Sequence, residues 1–244
     1  MSERITGRKN PLLQQVRKLL SSKKYRQETG LFVSDGTKLL QEALRWWDGV
    51  ETVILSDGVE ADVPASVRLI YVPEDVMESI SPMQTPQGAL FICRLPEKTE
   101  FTPKPGMLLL DGIQDPGNLG TILRTADALQ IPVALLEGCA DPYSHKVVRS
   151  SMGAVFRTLV VQTTWQQVRD SGIPVAVTAL SDKAVDIRSA KLTELAVVIG
   201  SEGQGVRQEI MEYAQNQLII PMDERCESLN AAIAAAIVMW QMKQ

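Results

Sequence analysis

The chain has 244 residues, 45% of them hydrophobic, with a mean hydropathy near zero and a formal net charge of −4. That suits one large domain or two modest ones, each long enough to bury a core. No apolar run reaches the length of a membrane span and the opening MSERITGRKN lacks the apolar segment of a signal peptide, so a cytoplasmic protein with no membrane association is expected.

Cys93, Cys139 and Cys226 form no CxxC pair, and His145 is the only histidine, so reduced thiols and no metal are expected. The charge is uneven. Residues 1–38 hold nine Lys/Arg against three acids, a balance of +6, which leaves −10 on the remainder. A basic end on an acidic protein suits a phosphate backbone, although scattered lysines on a solvated helix face give the same pattern.

In chain order, NPLLQQVRKLLSSKKYR places Leu12, Val16, Leu19 and Leu20 at helical spacing, with Pro11 suited to the first turn. LFVSDG reads as a strand and turn, and TKLLQEALRWW as a helix with Leu39, Leu40, Ala43 and Trp47 on one side. ETVILSD and VRLIYVP are short buried strands, EDVMESI a short helix, and GALFICRL another strand. PEKTEFTPKPG, residues 96–106, has three prolines, two lysines and little to bury. It reads as a linker, with domains expected over 1–98 and 107–244 and the linker proper over 99–106.

Beyond it, strands are predicted in MLLLDGI, PVALLEG, RTLVVQ, PVAVTAL, AVVIG and QLIIPM. Helices are predicted over 118–130, 145–153, 165–171, 206–215 and 228–243. Near-continuous apolar strands alternating with helices predict an α/β domain with a parallel sheet covered on both faces.

VVIGSEGQGV, Val197 to Val206, raises the question of a nucleotide loop. Its glycines run G-x-x-G-x-G rather than G-x-G-x-x-G, only 39 residues follow Gly205, and no Gly-Lys-Ser/Thr ending is present. Glu202 inside the turn would repel phosphate. A ligand with a positive centre, such as the sulfonium of S-adenosylmethionine, sits better there; a glycine-rich turn with no ligand is the alternative.

In DGIQDPGNLGTILRTADAL a Gly/Asn/Pro turn precedes a helix, with Asn118 at or near its cap and Ile122, Leu123, Ala126 and Leu129 on its buried side. Arg124 stands on that helix among small and apolar neighbours; an ordinary ion pair to Asp127 or Asp111 is the competing reading. In IIPMDERCESLNAAIAAAIVMWQ a strand enters a polar loop, and Ser228 is the expected cap of an alanine-rich helix bearing Ile233, Ile237 and Trp240. Its small residues would let another backbone approach closely, either the sheet or a second subunit.

Together, NLGTILRTADA (118–128), VVIGSEGQGV (197–206) and IIPMDERCESLNAAIAAAI (219–237) resemble the SpoU (TrmH-type) RNA ribose 2′-O-methyltransferases of the SPOUT superfamily. DPYSHKVVRSSMGAVF (141–156) is similar to the family's Ser-x-Lys segment, and the block from Asn10 to Leu44 to the N-terminal substrate-binding domain of the rRNA-modifying branch. Two departures stand out. The loop DERCE (223–227) lacks the family's usual glycine, and Asp35-Gly36 replaces the usual Glu-Gly.

The resemblance implies a C-terminal trefoil knot, a ribosomal-protein-like N-terminal domain, and S-adenosylmethionine as cofactor. It implies contact with the cofactor from Thr178, Ala179, Leu180, Gly200, Ser201, Glu202, Gly203, Ile220, Met222, Ser228 and Leu229, and a homodimer that completes the active site. It gives the central catalytic role to Arg124, with Asn118, Glu202, Ser228 and Asn230 positioning substrate and loops. Arg8, Lys9, Lys23, Lys24, Arg26, Lys146 and Arg149 are the candidate RNA contacts. The expected substrate is large-subunit rRNA, with tRNA, or a catalytically silent RNA-binding protein, as the alternatives.

Overall fold

A computed structural model describes residues 3–97, 101–223 and 225–244. The linker expected over 99–106 therefore lies partly outside the described residues. The chain forms two compact units: residues 1–98 with 143–157, and residues 99–142 with 158–244.

The first unit opens with β1 (Glu3–Arg4), α1 (Pro11–Ser21), α2 (Lys23–Thr29), β2 (Leu31–Asp35) and α3 (Thr37–Trp46). β3 (Val50–Ser56), β4 (Arg68–Val72), α4 (Glu74–Ile80) and β5 (Ala89–Arg94) follow. The sequence shows one helical pattern from Pro11 to Arg26, but the chain breaks it at Ser22. That residue is extended (φ −123°, ψ 111°), and its hydroxyl caps α2 by accepting from the Tyr25 N–H.

The sheet order is β1-β4-β3-β5-β2, parallel across β1, β4 and β3 and antiparallel at both β5 edges. Alternation along the strands separates two cores. Val33, Ile54, Ile70, Leu90 and Ile92 pack with Leu13, Val16 and Leu19 of α1. From the other face Phe32 and Phe91 project into an aromatic cluster with Trp47, Tyr143 and Phe156.

The second unit begins with β6 (Leu108–Asp111), α5 (Pro116–Leu129) and β7 (Val133–Leu135). After α6 (His145–Ser150), which belongs to the first unit, come β8 (Val160–Gln162), α7 (Trp165–Asp170), β9 (Val175–Thr178) and β10 (Val185–Asp186). β11 (Ala196–Gly200), α8 (Gln208–Tyr213), β12 (Asn216–Ile219) and α9 (Ala231–Gln241) complete it. All seven strands are parallel, in the order β10-β12-β9-β11-β6-β7-β8. The α/β class with a parallel sheet and a smaller N-terminal α/β unit is thus the one found. The two-residue edge strands β1 and β10 had no pattern to announce them. Met107, Leu109, Val175, Val177 and Val198 bury one sheet face under Trp165, Val168 and Ile210 of α7 and α8. α5 and α9 pack against each other, and α9 against β11.

Within the first unit, Asp35 at the end of β2 is buried, with Arg149 of α6 3.4 Å from its Oδ2. Burial pushes its carboxyl above the usual range, and Arg149 and His145 only partly offset that. Burial also pushes His145 below its ordinary value of 6.5, against the pull of Asp35. A depressed histidine stabilises the fold above its unfolded-state pKa, and that stability is lost as pH falls through the lower folded value. Asp35 acts with the opposite sign: its contribution is present at low pH and is lost as pH rises through its raised folded value. Urea titrations should therefore show the unit losing stability below about pH 6.5, with a smaller loss in His145→Gln; an equal loss in both proteins contradicts this assignment.

Candidate active site

The carboxyl-terminal ends of β9, β11 and β12 enclose a cavity of about 380 Å³, at the edge of a parallel sheet where α/β folds commonly bind ligands. Thr178, Ala179 and Leu180 line it from the loop after β9, and Gly200, Ser201 and Glu202 from the loop after β11. Ile220, Met222, Ser228 and Leu229 line it from the stretch that runs into α9. Gly203 lies instead on a neighbouring cavity of about 270 Å³, with Ile113, Gln114, Asp115 and Asn118. Ser201, Glu202, Gln204 and Ala231 border both spaces.

The lip between them is built around one carboxylate. Glu202 Oε1 accepts from Asn118 Nδ2 at 2.6 Å, Asn230 Nδ2 at 2.7 Å and the Ala231 N–H at 3.3 Å. Asn230 Nδ2 also donates to Asn118 Oδ1 at 3.0 Å. A negative group at the start of α9 is favoured by the helix dipole.

Two expected caps are corrected. Asp115 caps α5, accepting from the Asn118 N–H, and Pro116 occupies the first turn. Asn118 lies three residues inside the helix, which leaves its side chain free to reach Glu202. Asn230, not Ser228, caps α9, its Oδ1 accepting from the Ala232 and Ile233 N–H groups. Ser228 stands two residues earlier, on the cavity wall.

Gly200 makes this loop possible. A Cβ there would lie 2.2 Å from the carbonyl carbon of Gly205 and 2.3 Å from the Val206 nitrogen. Any side chain would push the two limbs of the loop apart. Gly205 itself has φ +68°, where glycine is at ease and other residues are strained.

Arg124 is exposed on α5, lines neither cavity, and makes no hydrogen bond or ion pair among the described residues. The competing ion pairs do not form: Asp111 is held by Arg207, and Asp127 accepts from Thr158 Oγ1. The chain by itself therefore brings Asn118, Glu202 and Asn230 together and leaves Arg124 apart from them.

Among the candidate RNA contacts, Arg8, Lys9, Lys23, Lys24 and Lys146 are exposed, with Arg8 bridged to Asp75 and Lys24 to Glu28. Arg149 is partly exposed against Asp35. Arg26 is a correction. It is only 5% exposed and donates to the Leu19 carbonyl, so it is a structural residue and not a surface for RNA. Helical spacing alone cannot separate a buried arginine from its exposed neighbours. Met211 of α8 and Ala234 of α9 also line the larger cavity. Met211 lies outside the quoted motifs, and Ala234, although inside the third, is one of several alanines with nothing to single it out.

No Lys, Arg or His lines either cavity, while Glu202 borders both. Among the described residues that lining places a carboxylate and no cationic side chain at the site, which disfavours a phosphate-centred ligand and suits one with apolar, hydrogen-bonding and cationic parts. The site thus has the chemistry of an S-adenosylmethionine pocket on a parallel α/β sheet. Residues 105–240 match the SpoU rRNA Methylase family, and residues 10–90 match an MRM3-like substrate binding domain. The chain belongs to the SpoU rRNA methylase family.

It is 32% identical to the 23S rRNA (guanosine(2553)-2′-O)-methyltransferase RlmP of Bacillus subtilis, over 93% of this chain and 94% of that protein. It is 28% identical to the human mitochondrial rRNA methyltransferase 3, over 95% of this chain and 72% of that protein. An AdoMet-bound rRNA methyltransferase from Sinorhizobium meliloti superposes with a TM-score of 0.87 at 29% identity, covering 99% and 97% of the two chains.

Gly200→Ala should weaken S-adenosylmethionine binding by roughly tenfold or more, since it removes a preorganised wall. Calorimetric titration checks this; wild-type affinity contradicts the role given to the close approach.

Proposed function

We propose that this protein transfers a methyl group from S-adenosylmethionine to a ribose 2′-hydroxyl in large-subunit rRNA. The observation that carries the reading is the Asn118–Glu202–Asn230 constellation on the lip of a cation-free cavity. Its support lies in the family and in full-length relatives named as rRNA 2′-O- and rRNA methyltransferases. The match of residues 10–90 to a substrate binding domain favours rRNA over the tRNA alternative.

The cofactor would supply a methyl group on a good leaving group: its sulfur–carbon bond would break as the oxygen–carbon bond forms, releasing a neutral thioether, and the hydroxyl proton would pass to solvent water. The residues' task is orientation and charge. Thr178–Leu180, Gly200–Glu202, Ile220, Met222, Ser228 and Leu229 would hold the cofactor, with Glu202 set to balance its positive centre. Asn118 and Asn230 fix the Glu202 carboxylate and present amide groups toward the substrate side. Arginine stays protonated at any working pH. Arg124 therefore binds the adjoining phosphate and stabilises the developing alkoxide, and does not act as a general base.

Arg124 meets this site in a homodimer. Ile233, Ile237 and Trp240 recur at helical spacing on α9 and are 52%, 37% and 61% exposed. Such a stripe opposite the buried Ala231, Ala235 and Val238 is suited to a second copy of the helix. The last segment, threaded as a knot, would then lie between the sheet and its partner. We place the RNA on the first unit, residues 1–98 with 143–157, through Arg8, Lys9, Lys23, Lys24, Lys146 and Arg149, and the reaction in the cytoplasm. Among the described residues no helix is long and apolar enough to cross a membrane, and no group of three or more His, Cys, Asp or Glu could hold a metal.

With methyl-labelled S-adenosylmethionine and rRNA lacking native modification, Arg124→Ala should lower transfer by about a thousandfold or more with cofactor affinity unchanged. Undiminished turnover in that variant sinks the assignment, and label on a base instead of a ribose sinks the 2′-O reading. Ile237→Glu should shift the protein from dimer to monomer in light scattering; an unchanged mass places the dimer elsewhere.

A further inference from the structure

We infer that Asp111 and Arg207 form a clamp that presets the loop of residues 201–206 before any cofactor binds, making both positioning residues for methyl transfer. This rests on the reading of that loop as a cofactor wall.

Both ends of the loop converge on Asp111. At its start, Gly200 of β11 is the register partner of Asp111, the last residue of β6. At its end, the Arg207 N–H donates to Asp111 Oδ2 at 2.9 Å, and Arg207 Nε donates to Oδ1 at 2.7 Å. Asp111 is 2% exposed, so this is a desolvated carboxylate with both oxygens engaged by one residue. Six residues are thereby tied at both ends to the same residue, through strand pairing at the start and through its carboxylate at the end.

Inside the clamp, Ser201 and Gly205 exchange backbone hydrogen bonds of 3.2 and 2.9 Å, and Ser201 Oγ accepts from the Gln204 N–H. Beyond it, Arg207 is fixed from the segment after β7 as well. Its Nη2 donates to Glu137 Oε2 at 2.8 Å, and the Glu137 carboxylate accepts from the Trp165 N–H that opens α7. The guanidinium thus ties the loop to β6, to the segment after β7 and to the start of α7.

Asp111, Glu137 and Arg207 line neither cavity. Their influence on a ligand can pass only through the loop, which supplies Ser201, Glu202, Gln204, Gly205 and Val206 to the larger cavity wall. A loop held in its bound shape has less freedom to lose when a ligand binds. Released at Arg207, its outgoing limb is no longer held against Gly200, and Glu202 is no longer held where Asn118 and Asn230 meet it.

The test uses the full chain with three substitutions: Asp111→Asn, Arg207→Gln and Arg207→Lys. Without cofactor, amide exchange at 201–206 should rise roughly tenfold in Asp111→Asn and Arg207→Gln while β6 and β11 exchange as in wild type. Calorimetric titration with S-adenosylhomocysteine should show affinity falling roughly tenfold in both. Both Arg207 variants keep the backbone donor, but Arg207→Lys also keeps the charge, so it should recover part of each loss; it also serves if Arg207→Gln does not fold. Wild-type loop exchange and affinity in Asp111→Asn and Arg207→Lys overturn the clamp, and so does faster exchange spread evenly over the sheet. Gly200→Ala separates the two ideas. If it loses affinity while the clamp variants keep theirs, only the clamp fails; if it too binds normally, the loop is not the cofactor wall.

Discussion

One carboxylate oxygen, Oε1 of Glu202, accepts hydrogen bonds from the side chains of Asn118 and Asn230 and from the backbone of Ala231. Those donors come from the first turn of α5 and the first turn of α9, 84 and 28 residues away along the chain. The loop after β11 is thereby joined to two helix starts, and the wall between the two cavities is the product. Much of the second unit serves this junction. The parallel sheet brings β6, β9, β11 and β12 to one edge. Gly200 lets the loop fold back on itself, and Asp115 and Asn230 cap the helices so that their first turns are fixed.

The absence of a cation at the cavities decides the ligand class. Glycine-rich turns ahead of helices commonly serve phosphates because free N–H groups and the helix dipole attract anions. Here a carboxylate already occupies that position at α9, and among the described residues no Lys, Arg or His lines either space. The same glycine content therefore serves a cationic ligand. Arg124 stands apart, exposed and unpaired among the described residues.

How much of this could be read from the sequence depended on whether a feature was local. The strands of the second unit were legible because apolar runs such as AVVIG have few other uses in a polar setting. The loop residues were legible because three separated motifs fall at consistent distances. Helix caps were not, since Asp115, Asn118, Ser228 and Asn230 are all good capping types and only backbone geometry chooses among them. The break at Ser22 was hidden by a continuous helical pattern. Arg26 and Arg207 were hidden for a different reason: each sits in a run of polar residues, and its partners lie on elements that the sequence does not place beside it.

The most direct test of this account is a crystal structure of the protein with S-adenosylhomocysteine. It should show the ligand in the cavity at the ends of β9, β11 and β12, between Thr178–Leu180 and Gly200–Glu202, with its sulfur turned toward the Glu202 lip. Density for the ligand elsewhere on the molecule, or in that cavity with its sulfur turned away from Asn118, Glu202 and Asn230, contradicts the account.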